Sequence, residues 1–124
     1  MVYLPSKMTM TIETLSKAIL PEEIEAVFRL EDIKDEVEAT VFILYEKQEL
    51  IPKELVGKEI VFDGFCNPLE LVHFPIKGKK LYLRLYRRRW KEKNTTKHYS
   101  NHYELHDAGM KATKLFGAFL KATL

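Results

Sequence analysis

The stretch Lys80-Leu81-Tyr82-Leu83-Arg84-Leu85-Tyr86-Arg87-Arg88-Arg89-Trp90 decides how this chain is read. Its period is two, the signature of extended backbone, in which successive side chains point to opposite faces. Leu81, Leu83 and Leu85 claim a core side. Tyr82, Arg84, Tyr86, Arg88 and Trp90 take the other side, and Arg87 and Arg89 fall where the strand leaves the core. One continuous strand over 80–90 is the expectation.

Working upstream, Pro75-Ile76-Lys77-Gly78-Lys79 is a turn. Residues 69–74 and 59–63 read as short strands, with Gly64 and Asn67-Pro68 as punctuation between them. In 36–45, Val37, Ala39, Val41, Ile43 and Tyr45 alternate with Glu38, Thr40, Phe42 and Leu44, a strand buried on one face and partly on the other. A polar connection holding Pro52, with a helical turn over 52–55, follows it. Ile12, Leu15, Ile19 and Leu20 recur at helical spacing after a loose leader over 1–10. Pro21 opens a second helix with Glu22, Glu23 and Glu25 at its positive end, and Ile24, Val27, Phe28 and Leu30 as its apolar side. The helical part thus covers 11–30.

Downstream, 91–97 reads as a hairpin loop with Asn94-Thr95-Thr96 at its tip, and 98–105 as the returning strand. Asp107 is placed to cap a last helix over 107–122, whose stripe is Ala112, Leu115, Phe116, Phe119 and Leu120, with Lys111, Lys114 and Lys121 off it. The expectation for the 124 residues is a single α+β domain. It has two short N-terminal helices, an antiparallel meander of about five strands over 36–105 and a C-terminal amphipathic helix.

Charge is distributed unevenly. Between Lys77 and Lys97 ten residues are basic and only Glu92 is acidic, net +9 in a chain of net +2. Residues 1–72 are net −8 and residues 73–124 net +10. A local excess of this size marks a surface that meets an anion, a phosphate backbone above all. The candidate nucleic-acid contacts are Lys77, Lys79, Lys80, Arg84, Arg87, Arg88, Arg89 and Lys91. Tyr82, Tyr86 and Trp90 are interleaved as rings that stack on bases or support guanidinium groups. Six phosphate contacts would give a log–log salt slope of roughly −5. The alternative is an ordinary exposed sheet face whose cations pair with the acidic half.

Residues for other chemistry are few. Cys66 is the only cysteine, so no intrachain disulfide forms, which fits a reducing compartment. His98, His102 and His106 are spaced by four and would line up on a helix as metal ligands, but on the expected strand they are polar surface beside the basic stretch. No metal or cofactor is expected. Catalytic motifs are absent, and the paired acids Glu22/Glu23 and Asp35/Glu36 sit beside other acids with nothing to raise one pKa selectively, so no enzyme is expected. No apolar run approaches membrane-spanning length, and the first twenty residues lack a signal-peptide pattern. A cytoplasmic, nucleoid-associated protein is the expectation.

The run Phe74-Pro75-Ile76-Lys77-Gly78-Lys79, then Leu81-x-Leu83, then Arg87-Arg88-Arg89-Trp90, resembles the N-terminal region of a group of bacterial insertion-sequence transposases. Leu20-Pro21, Tyr45-Glu46-Lys47, Pro52, Gly64-Phe65 and Ala118-Phe119-Leu120-Lys121 fit the same resemblance, which spans most of the chain. In related transposases this stretch is similar to a zinc ribbon, with a phenylalanine and a cysteine after the arginines and further cysteines in the next loop. Here Trp90 follows the arginines and no cysteine occurs from Phe74 onward. The resemblance therefore implies a ribbon without zinc, with Trp90, Tyr99 and Tyr103 packing in place of the metal. It also implies that the metal-dependent DDE catalytic domain is a separate region. The role it implies is recognition of the element's DNA ends, or assistance to the catalytic part. The alternative is a protein-interaction or homodimerisation module that docks on the transposase catalytic part.

Overall fold

The computed structural model describes residues 13–123. The expected leader over 1–10 and Ile12 of the first helix lie outside the described residues. The domain is α+β, in the order α1 (13–19), α2 (Glu22–Glu25), β1 (Phe28–Asp35), β2 (Ala39–Glu46), a 3₁₀ turn (Lys53–Leu55), β3 (Ile60–Phe65), β4 (Leu69–Ile76), β5 (Lys79–Tyr86), β6 (Arg88–Glu92), β7 (His98–Tyr99) and α3 (Lys114–Thr123).

The strands form two sheets, β1-β2-β5-β4 and β3-β6-β7. The larger one is mixed. β1 and β4 are antiparallel to their neighbours, but β2 and β5 run parallel, Phe42 beside Leu83 and Leu44 beside Leu85. The expected antiparallel meander is therefore interrupted at the centre, and the strands among the described residues number seven. The cause is β2 itself. Val41, Phe42, Ile43 and Leu44 are all buried, so this strand needs neighbours on both edges and cover on both faces.

One face of the large sheet carries the core. Leu71, Leu81, Leu83 and Leu85 meet Phe42 and Leu44, and Leu20, Ile24, Phe28 and Leu105 pack over them. Burying each such side chain contributes about 1.5–3 kcal/mol relative to leaving it exposed. Leu15, Ile19 and Tyr103 close the edges of this layer, the Tyr103 ring edge-on to Phe28 at 5.9 Å.

Four expectations are corrected. Helix α2 ends after one turn, where the Val27 N–H closes back on the Ile24 carbonyl at 3.1 Å, and Phe28 begins a strand. Pairing with β2 outweighs the local helical period there. The expected strand over 80–90 breaks at Arg87, so β5 and β6 belong to different sheets. The returning strand is two residues long, and 100–105 runs irregularly back across the core. Helix α3 starts at Lys114 rather than after Asp107. Its cap is the Thr113 hydroxyl, which accepts the Phe116 N–H at 3.3 Å, while Asp107 contacts Lys121 Nζ at 3.3 Å. The segment before α3 is pinned along the free edge of β4: Val72 N–H donates to Lys111 O at 3.1 Å and Thr113 N–H to Val72 O at 3.0 Å.

Candidate nucleic-acid interface

The second face of the large sheet presents, on β5, Lys80, Tyr82, Arg84 and Tyr86, which lie beside Val41, Ile43 and Tyr45 of β2 and Glu70 and Val72 of β4. The sequence placed these β5 residues together, and the backbone keeps them together. What each one does differs along the strand.

The arginines are engaged inside the fold. Arg84 Nε donates to Glu70 Oε2 at 2.9 Å, and that bond holds the guanidinium charged beyond its ordinary range. Arg87 donates to the Asn101 carbonyl at 2.7 Å. Arg88 donates through its N–H to Glu46 Oε1 at 2.7 Å and through Nε to the Glu46 carbonyl at 2.9 Å. Its guanidinium also lies 5.0 and 5.4 Å from the ring centroids of Phe62 and Phe65. Arg89 Nε donates to the Asp63 carbonyl at 2.9 Å, with the Asp63 carboxylate 3.7 Å away. The run Arg87-Arg88-Arg89 thus joins the two sheets and the 100–105 segment.

Two of the three rings are also occupied. Tyr86 stacks on Tyr45 at 5.1 Å and meets Phe65 edge-on at 6.1 Å. Trp90 is buried at 7% exposure against Phe62, so it packs the second sheet and offers no surface to a base. Its placement beside Tyr82 and Tyr86 is corrected, because the break at Arg87 moves it onto β6. Among the described residues no other aromatic ring packs on Tyr82, which is half-buried and flanked by Val41 and Val72.

The lysines divide in the same way. Lys77 and Gly78 form the tip of the β4–β5 hairpin with φ of 52° and 75°, the left-handed pair that a two-residue hairpin requires. This turn puts Lys77 at the outermost point of the sheet. Lys79 is bonded to Asp35 Oδ1 at 2.5 Å, and with the Thr40 hydroxyl it holds the Asp35 carboxyl below the usual carboxylate range. Lys77, Lys80 and Lys111 have no carboxylate within ion-pair distance among the described residues. Lys91 lies on β6, paired with Val61 on one side and His98 on the other, away from the β5 face. The acidic turn at Glu36 and Glu38 borders Lys79 and Lys80 from the β1–β2 side.

Lys111 was not legible as a contact residue. It lies off the helical stripe, and only the Val72 pairing brings it to the sheet. A second omission is Glu46. Its carboxylate is buried at 1% exposure and accepts from Arg88 N–H, from Asn101 Nδ2 at 2.9 Å and from the Tyr103 hydroxyl. Burial and that carboxylate keep the Tyr103 phenol protonated well above its ordinary range. The signal was present, since Glu46 follows Phe42 and Leu44 in core phase.

Among the described residues no three His, Cys, Asp or Glu side chains come together to hold a metal ion, and no helix is long and apolar enough to cross a membrane. His98 faces Asp63 at 2.5 Å, while His102 and His106 lie with Arg87 around a separate cavity of about 300 Å³. Compared with known protein families, curated proteins and solved structures, the chain matches none.

Proposed function

We propose that this domain is the non-catalytic, DNA-binding N-terminal region of an insertion-sequence transposase, with backbone contacts made by the lysines at the β4–β5 end of the sheet. The observation that carries the reading is the set of Lys77, Lys80 and Lys111, which have no carboxylate partner among the described residues, with Lys80 and Lys111 lining one groove beside Tyr82. The resemblance in the 74–90 run supplies the biological setting. In this reading the arginines build the platform and the lysines make the contacts.

Salt dependence tests it. Three lysine–phosphate contacts give a log–log slope of about −3 for duplex DNA, whereas recruitment of the arginines from Glu70 and Asp63 would bring it toward −5. The double variant Lys77→Gln/Lys80→Gln is expected to weaken duplex binding about tenfold at low salt and to reduce the slope by about 1.8. Fluorescence anisotropy with a labelled duplex measures both. Absence of binding at low salt, or a double variant indistinguishable from wild type, removes the proposal.

A second reading is favoured by α3. Phe116 and Phe119 pack on Phe74 at 4.9 and 5.3 Å, yet Leu115 is 58% and Phe119 49% exposed. These side chains suit docking on a catalytic part or on a second copy. A salt-resistant dimer by light scattering that Leu115→Lys abolishes would favour this reading.

A further inference from the structure

Between α3 and the second face of the large sheet lies an open groove of about 430 Å³, within the range of sites that take small molecules or nucleotides. Val72 and Tyr82 line it from the sheet, Phe116 and Leu120 from the helix, and Lys80 and Lys111 carry its charge. Glu70 also lines it, but its carboxylate is held by Arg84 at 2.9 Å. The groove is a built feature. Lys111 is anchored through its carbonyl to Val72 N–H, and α3 is oriented by the Thr113 cap and by Phe116 against Phe74.

We infer that this groove takes one unpaired nucleotide of a single DNA strand, with the base against Tyr82 and Phe116 and the flanking phosphates on Lys80 and Lys111. The inference rests on the reading of the domain as DNA-binding and specifies which form of DNA occupies this surface. Apolar and aromatic walls suit a base, and amines without carboxylate partners suit phosphate, so one ligand class matches both. In a duplex the bases are stacked and paired within the helix, and none enters a groove of this depth without being unstacked. Among the described residues Tyr82 is the ring on this face that no other aromatic covers, so it is available to stack.

The test is a fluorescence-anisotropy titration with a labelled oligothymidylate of about twelve nucleotides, run beside a duplex of equal length. Tyr82→Ala is expected to weaken single-strand binding about tenfold or more. Tyr82→Phe retains binding. Lys80→Gln and Lys111→Gln each lower the single-strand salt slope by about 0.7. In an NMR titration the amides of Val72, Tyr82, Lys111 and Phe116 shift on adding the oligonucleotide, and thermal melts check that each variant is folded. Equal single-strand binding by wild type and Tyr82→Ala overturns the inference, as does saturation of the same amides by thymidine monophosphate at the affinity of the strand. Binding of duplex without single strand overturns the groove assignment and leaves the proposed function standing. Binding of neither removes both.

Discussion

Glu46→Ala is expected to destabilise the domain by about 3–5 kcal/mol, the cost of stranding the buried donors that its carboxylate satisfies. Glu46 lies in core phase at the end of the central strand, and its carboxylate joins three separate chain segments. The Arg88 N–H donates to one oxygen, and Asn101 and Tyr103 donate to the other. Truncation leaves these donors buried without an acceptor, and each such group costs about 1–3 kcal/mol. Asn101 is tied in further by its second bond, to the Leu50 carbonyl at 2.7 Å. Glu46→Gln keeps the shape but turns one acceptor into a donor facing other donors, so an intermediate loss is expected. Urea unfolding followed by far-UV circular dichroism measures both. A loss below about 1 kcal/mol for Glu46→Ala would show that water replaces the carboxylate and that the network is not structural.

The second large effect is expected at His73. This imidazole is buried at 3% exposure, with Nε2 donating to the Ile19 carbonyl at 2.8 Å. A carbonyl only accepts, so Nε2 carries the proton and Nδ1 accepts from the Thr113 hydroxyl at 2.7 Å. Thr113 in turn accepts from the Phe116 N–H. One chain of hydrogen bonds therefore ties the end of α1, strand β4 and the start of α3. Burial pushes the His73 pKa below its ordinary 6.5, against a smaller opposing effect of the Ile19 bond and Glu23. The unfolded chain binds this proton more readily than the folded one, so stability falls as the pH drops below about 6.5 toward the depressed value. Above that pH the contribution is complete. His73→Leu is expected to lose about 2–3 kcal/mol at pH 8, because Thr113 and the Ile19 carbonyl lose their partner, and to flatten the decline that sets in below about pH 6.5. Parallel urea titrations above and below that pH check it. An unchanged pH slope in His73→Leu would assign the decline to other groups.

Both predictions concern residues whose phase announced them. His73 follows Leu69 and Leu71 on the core side of β4, and Glu46 follows Phe42 and Leu44 on β2. Period-two patterning is local, so it survives in the sequence even where the residue is charged. The same logic made β5 and its Arg/Tyr face legible. It failed at Arg87, because alternation alone carries no information about where a strand leaves one sheet and enters another. Trp90 was consequently assigned to the exposed face, although it is packed against Phe62.

Charge counting shows the same limit. The net +9 between Lys77 and Lys97 was plain in the sequence, but the partners that occupy its arginines come from far along the chain: Glu46, Asp63 and Asn101. Only folding brings them within hydrogen-bond reach, and their contacts turn much of the basic cluster into framework. Lys111, far from that cluster, joins the surface through a main-chain pairing with Val72 that no side-chain pattern encodes.

The α+β class, the central residues of β2, β4 and β5, the core leucines and the excess of positive charge are legible in the sequence alone, because each follows from local period and composition. The tertiary structure decided that β2 and β5 run side by side in parallel, that Phe28–Asp35 is a strand, and which cations face solvent without a carboxylate partner. Those outcomes depend on which distant segments bury each other's apolar faces and satisfy each other's polar groups, a property of the packed chain and not of any one stretch of it.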